Sequence, residues 1–308
     1  GCFPSTASRS HNNHMQQYGQ GVRAPDFVVE ASSALGEGPC WDPRDGSLGW
    51  VDVRGRAVHK WWPDTGRRER RVLPDEVSLA LPRVSGGRVV TQVDTIAVAD
   101  GIHLREVCRV PADRVHTRLN DGCVDRDGAL WVATYSLRGE AEAVLLHVDP
   151  SSGEVTVVVD GLVASNGLAW SADGERLFAV DTGRGRLDVY AGADGARPAL
   201  RPGRLLVDFA DGVGRPDGIA LDADGGVWVA MWGGGEVRRY TPGGDLDVVI
   251  RVPVTYPTSV AFGDADLATL FVTTSRIHLP PAAVEPLAGH VLAYETGTHG
   301  IPPPAFSG

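Results

Sequence analysis

Residues 120–134 read NDGCVDRDGALWVAT: a short apolar run, an Asp-x-Asp-Gly turn, then an alternating run carrying a tryptophan and a valine. This is a β-hairpin pattern, in which Asp and Gly supply the turn chemistry. Three other segments repeat it: EGPCWDPRDGSLGWVDV from Glu37, NGLAWSADGERLFAVDT from Asn166 and DGIALDADGGVWVAMW from Asp217. Two weaker copies fill the gaps, SLALPRVSGGRVVTQV from Ser78 and SVAFGDADLATLFVTT from Ser259. The anchors at 37, 78, 120, 166, 217 and 259 are separated by 41, 42, 46, 51 and 42 residues. Periods of that length correspond to one four-stranded blade each. Segments such as RLDVYAG and EVRRYTPGG supply third strands, and no long stretch of 3.6-residue period competes for helix. The chain is therefore expected to be all-β, a six-bladed β-propeller of four-stranded antiparallel blades, in one domain over residues 26–308.

Closure of the ring is legible too. The last repeat offers strands near 259–262, 270–273 and 290–294 and then runs into GTHGIPPPAFSG, so it lacks a fourth. Residues 26–31, DFVVEA, alternate in polarity and have no blade of their own. They are predicted to pair as the outer strand of the last blade. The Pro-containing stretch 276–289 reads as a loop over one face. Residues 1–25 lack the apolar core of a signal peptide and read as a flexible leader or appended segment, with a processed lipoprotein end as the alternative to a cytoplasmic protein.

Composition narrows the function classes. The 308 residues include 39 Gly, 21 Pro and 43% hydrophobic residues, which suits many short strands joined by turns and argues against disorder. The formal net charge of −10 argues against nucleic acid and anionic membrane as partners, because both require basic patches. No run reaches the 18 apolar residues of a membrane span. Nothing indicates a protein partner. Cys2, Cys40, Cys108 and Cys123 form no CxxC and read as reduced small hydrophobes.

The anchors carry the chemistry. Glu37, Asn120, Asn166 and Asp217 each lie five residues before the turn residue of their repeat (Asp42, Asp125, Ser171, Asp222). Equal offsets in equivalent strands put these side chains at equal height around the axis. Two carboxylates and two amides are hard oxygen donors that suit one divalent cation, Ca²⁺ or Mg²⁺ first, with Zn²⁺ or Mn²⁺ as other occupants. For any single Asn or Asp, satisfying a strand end is the better explanation; four at one offset make that explanation hard to hold.

The same residues resemble those of the SMP-30/gluconolactonase family. The likeness rests on LGEGPCWDP (35–43), RLNDGCVDRDGALWVAT (118–134), SNGLAWSADGERLFAVDT (165–182) and PDGIALDADGGVWVAMWGGGEV (216–237). The resemblance implies a six-bladed propeller, a divalent metal and hydrolysis of sugar-type lactones, small-molecule cyclic esters. Carried over by motif, Glu37, Asn166 and Asp217 are the implied metal ligands, and Asp217 is also the implied general base. Arg118 and Asn120 would face the substrate. One stretch departs from the pattern: where relatives often place a further acidic side chain, this chain reads YSLRGEAEAV (135–144), with Arg138 near the expected position and Glu140 and Glu142 close by. Asp121, Glu140, Trp232 and His103 are the further pocket candidates.

In a lactone hydrolase the metal would polarise the carbonyl, Asp217 would take a proton from water, and Arg118 and Asn120 would donate to hydroxyls or the developing oxyanion. Arg118 has an alternative use, a salt bridge to Asp121 or Asp94. No GxSxG is present, and the nine histidines show no partners for a serine triad. His147 and His290 read as structural, whereas His103 and His116 fall in a connecting region that would edge the pocket. The glycines at 233–235 read as a hairpin turn, not a nucleotide loop. Two rival readings stand beside the hydrolase: a non-catalytic metal-stabilised propeller that binds a protein, and a biosynthetic ester hydrolase or cyclase using the same metal site.

Overall fold

The computed structural model of the chain describes residues 21–110, 116–192, 198–280, 282–283 and 285–308. A first short strand, β1 (Phe27–Val29), precedes the repeats. Blade 1 holds β2 (Gly36–Asp42), β3 (Ser47–Asp52), β4 (Ala57–Trp61) and β5 (Arg68–Val72). Blade 2 holds β6 (Val77–Pro82), β7 (Arg88–Gln92), β8 (Thr95–Asp100) and β9 (His103–Arg109). Blade 3 holds β10 (Thr117–Val124), β11 (Leu130–Ser136), β12 (Ala143–Val148) and β13 (Val155–Leu162). Blade 4 holds β14 (Ser165–Trp170), β15 (Arg176–Asp181), β16 (Arg186–Ala191) and β17 (Arg204–Asp208). Blade 5 holds β18 (Arg215–Leu221), β19 (Val227–Trp232), β20 (Glu236–Tyr240) and β21 (Leu246–Arg251). Blade 6 holds β22 (Pro257–Gly263), β23 (Thr269–Thr274) and β24 (Val291–Glu295), with β1 as its fourth strand. The six sheets form the expected six-bladed propeller, and the innermost strands β2, β6, β10, β14, β18 and β22 contact one another in a ring.

The hairpin motif has a local explanation. In blade 3, Asp125 accepts from the backbone N–H of Asp127 and Ala129 and from the Trp131 indole at 2.9 Å. Asp222 does the same in blade 5, taking Asp224, Gly226 and the Trp228 indole at 2.9 Å. One aspartate thus closes the turn and satisfies the buried indole six residues on, which is why the two residue types recur together. The apolar sides of the blades pack against each other as six clusters, one at each blade interface. Trp131 is fully buried between blades 3 and 4, against Trp170.

The N-terminal strand closes the ring as predicted. Phe27, Val28 and Val29 pair with Ala293, Leu292 and Val291. His290 supports the junction, its Nδ1 accepting from the N–H of Ala31 at 3.0 Å and of Ser32 at 3.2 Å. The leader expected over residues 1–25 falls mostly outside the described residues. Arg23 already engages the propeller: its N–H donates to Arg251 O, and its guanidinium donates to Glu295 O at 2.7 Å. Cys40, Cys108 and Cys123 are free thiols, as expected, while Cys2 lies outside the described residues.

A second closure comes from the other end. The tail past blade 6 crosses the floor of the ring, bonding blade 5 through Asp222↔Gly300 and blade 2 through Arg83↔Phe306. Phe306 is 1% exposed, inserted in the core between blades 2 and 3, and Ser307 N donates to Gly128 O at 3.1 Å. Deleting a buried phenyl ring costs its transfer energy plus a cavity. Phe306→Ala is therefore expected to lower unfolding stability by about 3–5 kcal/mol, read by denaturant titration, with no change in the β signal of the folded state.

Candidate active site

The six inner strands share a defect that aims their side chains. A regular strand at this edge would turn alternate side chains onto the two neighbouring blades. Instead the pairing slips by one residue beside each anchor. In blade 4 it passes from Ser165↔Asp181 to Leu168↔Ala179, and in blade 5 from Pro216↔Met231 to Ile219↔Val229. Blades 1 and 3 slip between Glu37 and Cys40 and between Leu119 and Gly122. A one-residue bulge bends the strand and redirects a side chain. Asn120, Asn166 and Asp217 are the first unpaired residues of their bulges, and Glu37 is the last paired residue before its own. Blades 2 and 6 slip between Val77 and Leu79 and between Pro257 and Ser259. The bulge residue of blade 6 is therefore Thr258, not the expected anchor Ser259: β22 runs to Gly263, and counting five back from Asp264 stops one residue short.

Close approach of the strands fixes the residue after the anchor. A Cβ on Gly167 would lie 2.6 Å from the Asp217 carbonyl oxygen, and one on Gly218 would lie 2.0 Å from Ser259 Oγ. Only glycine fits there.

The bulges bring carboxylates together. Asp217 is 4% exposed, and its Oδ1 is buried without a hydrogen-bond partner. Burial raises its proton affinity well above the usual carboxylate range and the charge of Asp121 raises it further, partly offset by the Asn166 amide and the Gly218 N–H. Burial also raises Glu37, reinforced by Asp217 and Asp121 and opposed by Arg118. Asp121 is pushed up to about 6 by burial, although Gly122 N donates to its Oδ1 at 2.7 Å. Glu37 and Asp217 thus both feel the charge of Asp121, and Glu37 that of Asp217 as well.

The amides are held by their nitrogens. Asn120 Nδ2 donates to Ser165 O at 3.0 Å, and Asn166 Nδ2 donates to Thr182 Oγ1 at 3.3 Å. Their oxygens are the ends left for a cation or a substrate hydroxyl. Among the described residues no three His, Cys, Asp or Glu side chains make a metal cluster by themselves. Glu37 and Asp217 supply two carboxylates, and amide oxygens from Asn166 and Asn120 are what would complete an all-oxygen set.

The rim candidates come from β10, the end of β19 and two connections. Arg118 is half-buried and stands 5.3 Å over the Tyr135 ring. Among the described residues it forms no salt bridge to Asp121 or Asp94; Asp94 pairs with Arg109 instead. Trp232 contacts Tyr256 at 4.8 Å and His278 at 5.3 Å, the latter from the 276–289 loop. Tyr256 and His278 lack any spacing signal that would single them out. Glu140 lies in the exposed turn after β11, paired with Arg138 at 3.1 Å, and Arg138 also pairs with Glu142 at 2.6 Å. These acids answer a local arginine. His103 is not at the rim: residues 103–109 form the outermost strand of blade 2, where His103 is exposed and its carbonyl accepts from Arg71 at 3.0 Å. Residues 103–109, expected in a connecting region, form a strand. His116 is exposed at the start of blade 3, its carbonyl accepting from Leu137 N.

The SMP-30/gluconolactonase/LRE-like region spans residues 35–276, which takes in all six inner strands. The chain belongs to this family. It is 34% identical over 293 residues to the 6-deoxy-6-sulfogluconolactonase of Pseudomonas putida, covering 91% of this chain and 98% of that protein. It is 29% identical to the regucalcin of Danio rerio, over 92% of this chain and 98% of the relative. The solved structure of a calcium-binding protein, regucalcin from Agrobacterium tumefaciens, superposes with a TM-score of 0.85 at 27% identity, over 92% of this chain and 98% of that one.

Crowded acids carry a thermodynamic signature. A carboxylate whose proton affinity is raised by folding costs stability wherever the unfolded chain would ionise it, that is, above about pH 4. In chelator-stripped protein at pH 7, Glu37→Gln is expected to raise the melting temperature by at least about 2 °C. The gain should shrink as the pH falls toward 4, where the carboxyl is protonated in the unfolded chain as well.

Proposed function

We propose that this protein is a divalent-cation-dependent lactonase that hydrolyses a sugar-type or related small lactone. What supports the reading is that Glu37 and Asp217, beside the bulges of two inner strands, are both buried with raised proton affinity, that the charge of Asp217 bears on Glu37 and the Asn166 amide on Asp217, and that Asp217 keeps a partnerless buried oxygen. Burying facing carboxylates is costly unless a cation compensates them, and an all-oxygen set favours Ca²⁺, with Mg²⁺, Mn²⁺ and Zn²⁺ as the ions to compare. The relatives support the same class: one is named a lactonase, and a structural neighbour is titled a calcium-binding protein.

A cation bound here would polarise the lactone carbonyl and lower the pKa of water beside it. Glu37, Asn166 and Asp217 would hold it. Asp217 is the general base, because it keeps a buried carboxylate oxygen with no hydrogen-bond partner to receive a proton from water. Asn120 and Arg118 orient the ring hydroxyls and donate to the oxygen on which negative charge develops. The Trp232–Tyr256–His278 group walls the mouth, and the Tyr135 ring holds the Arg118 guanidinium in place.

The test is an aldonolactone panel run on stripped protein and on protein given each ion. Hydrolysis is expected with added cation and should fall at least about 100-fold on chelation, while Asp217→Asn should lose about 10²–10⁴ in kcat. A folded, cation-loaded protein inert on every lactone would point to the non-catalytic binding module and end the hydrolase reading.

A further inference from the structure

Three hydrogen bonds between blades obey one rule. Asn120 Nδ2 donates to the carbonyl of Ser165 at 3.0 Å, Thr182 Oγ1 to that of Pro216 at 2.7 Å, and Thr258 Oγ1 to that of Gly36 at 2.6 Å. The accepting residues immediately precede Asn166, Asp217 and Glu37. Each donor comes from the preceding blade in ring order: blade 3 clamps blade 4, blade 4 clamps blade 5, and blade 6 clamps blade 1. Among the described residues no side chain clamps the corresponding carbonyls of Val77, Leu119 or Pro257. The clamps therefore fall on the three strands that carry the proposed ligands.

Two of the donors are threonines at the ends of short hydrogen-bond chains. Thr258 and Thr273 are fully buried, their hydroxyls 2.8 Å apart. With the Thr258 proton on Gly36 O, the Thr273 hydroxyl has two acceptors in reach, Thr258 Oγ1 at 2.8 Å and Ser259 O at 3.3 Å, and the shorter contact is the one to Thr258. Asn166 Nδ2 likewise donates to Thr182, which donates onward to Pro216 O. Chains of this kind stiffen one another in a dry interior. Blade 2 supplies the contrast. Ser78, at the place equivalent to Thr258, pairs its hydroxyl with Thr91 at 2.7 Å and reaches no carbonyl of blade 3.

We infer that Thr258 and Thr182 are positioning residues for the axial oxygen set, Thr258 fixing the backbone of Glu37 and Thr182 tying Asn166 to Asp217. The inference rests on the reading that Glu37, Asn166 and Asp217 hold a cation. It also links ring closure to the site, since the Thr258 clamp spans the seam between blades 6 and 1.

The experiment titrates Ca²⁺, and in parallel Mg²⁺, Mn²⁺ and Zn²⁺, into chelator-stripped protein by calorimetry, with the melting temperature of each stripped variant recorded. Thr258→Val keeps the shape and removes the hydroxyl. It should weaken cation binding about 10- to 100-fold, as loss of a group that orients a ligand does. Thr258→Ser should restore binding to within about threefold, and Ser78→Ala should leave it unchanged, as their hydrogen bonds require. Thr182→Val, in the half-buried second clamp, should weaken binding in the same way and serves if Thr258→Val does not fold. Wild-type affinity in both valine variants, or equal weakening in Ser78→Ala, overturns the inference while leaving the cation reading intact. A wild-type protein that binds none of the ions overturns both, and that result is distinct from wild type and variants binding equally well.

Discussion

A propeller's inner strands present backbone edges to the axis, and their side chains naturally belong to the blade faces. The extra residue inserted in each inner strand of this chain changes that allocation, and the candidate site depends on it. The bulges draw Asn120, Asn166 and Asp217 out of the regular pairing, with Glu37 at the edge of its own bulge, and neighbouring strands lie so close that Gly167 and Gly218 tolerate no side chain. The same crowding that excludes a Cβ also excludes water from Asp217. One backbone irregularity thus produces the approach of the strands, the burial of the acids and their raised proton affinity. Ionising these acids costs the fold stability, and a positive charge placed beside them would offset that cost.

Most of this architecture was legible because it repeats. The Asp-x-Asp-Gly turns and their tryptophans are a physical unit, the aspartate capping the indole, so their recurrence reported blade count and spacing faithfully. The closing strand was legible from alternation alone, since DFVVEA had no other partner. What failed was counting through the less regular repeats. Blade 6 holds one additional residue between bulge and turn, which shifted its anchor from Ser259 to Thr258. Residues 103–109 of blade 2 are an exposed outer strand whose sequence, HLREVCR, lacks clean alternation, so His103 looked like a connector residue near the mouth.

Other features had no signature in one dimension. The clamps by Thr182 and Thr258 join residues 34 and 222 positions apart, and a threonine in a strand reads as an ordinary β-former until its neighbour is known. The aromatic group at the rim assembles Trp232 from the end of β19 with Tyr256 and His278 from two connections. The YSLRGEAEAV stretch shows the opposite case: its acids were conspicuous in sequence, yet Arg138 engages both Glu140 and Glu142. Charge composition of a loop does not reveal which charges are already answered.

The strap that ends in Phe306 has a consequence for how the molecule comes apart. Linear repeat arrays fray, because a terminal unit touches only one neighbour and can peel away alone. Here the first strand is woven into blade 6 and the tail is anchored beneath blades 5 and 2, so no blade is terminal in the mechanical sense. Loosening any one blade must disturb a partner on the far side of the ring. Such a chain should melt as a single cooperative body despite its modular sequence, with the axial cluster among the last elements to lose its shape.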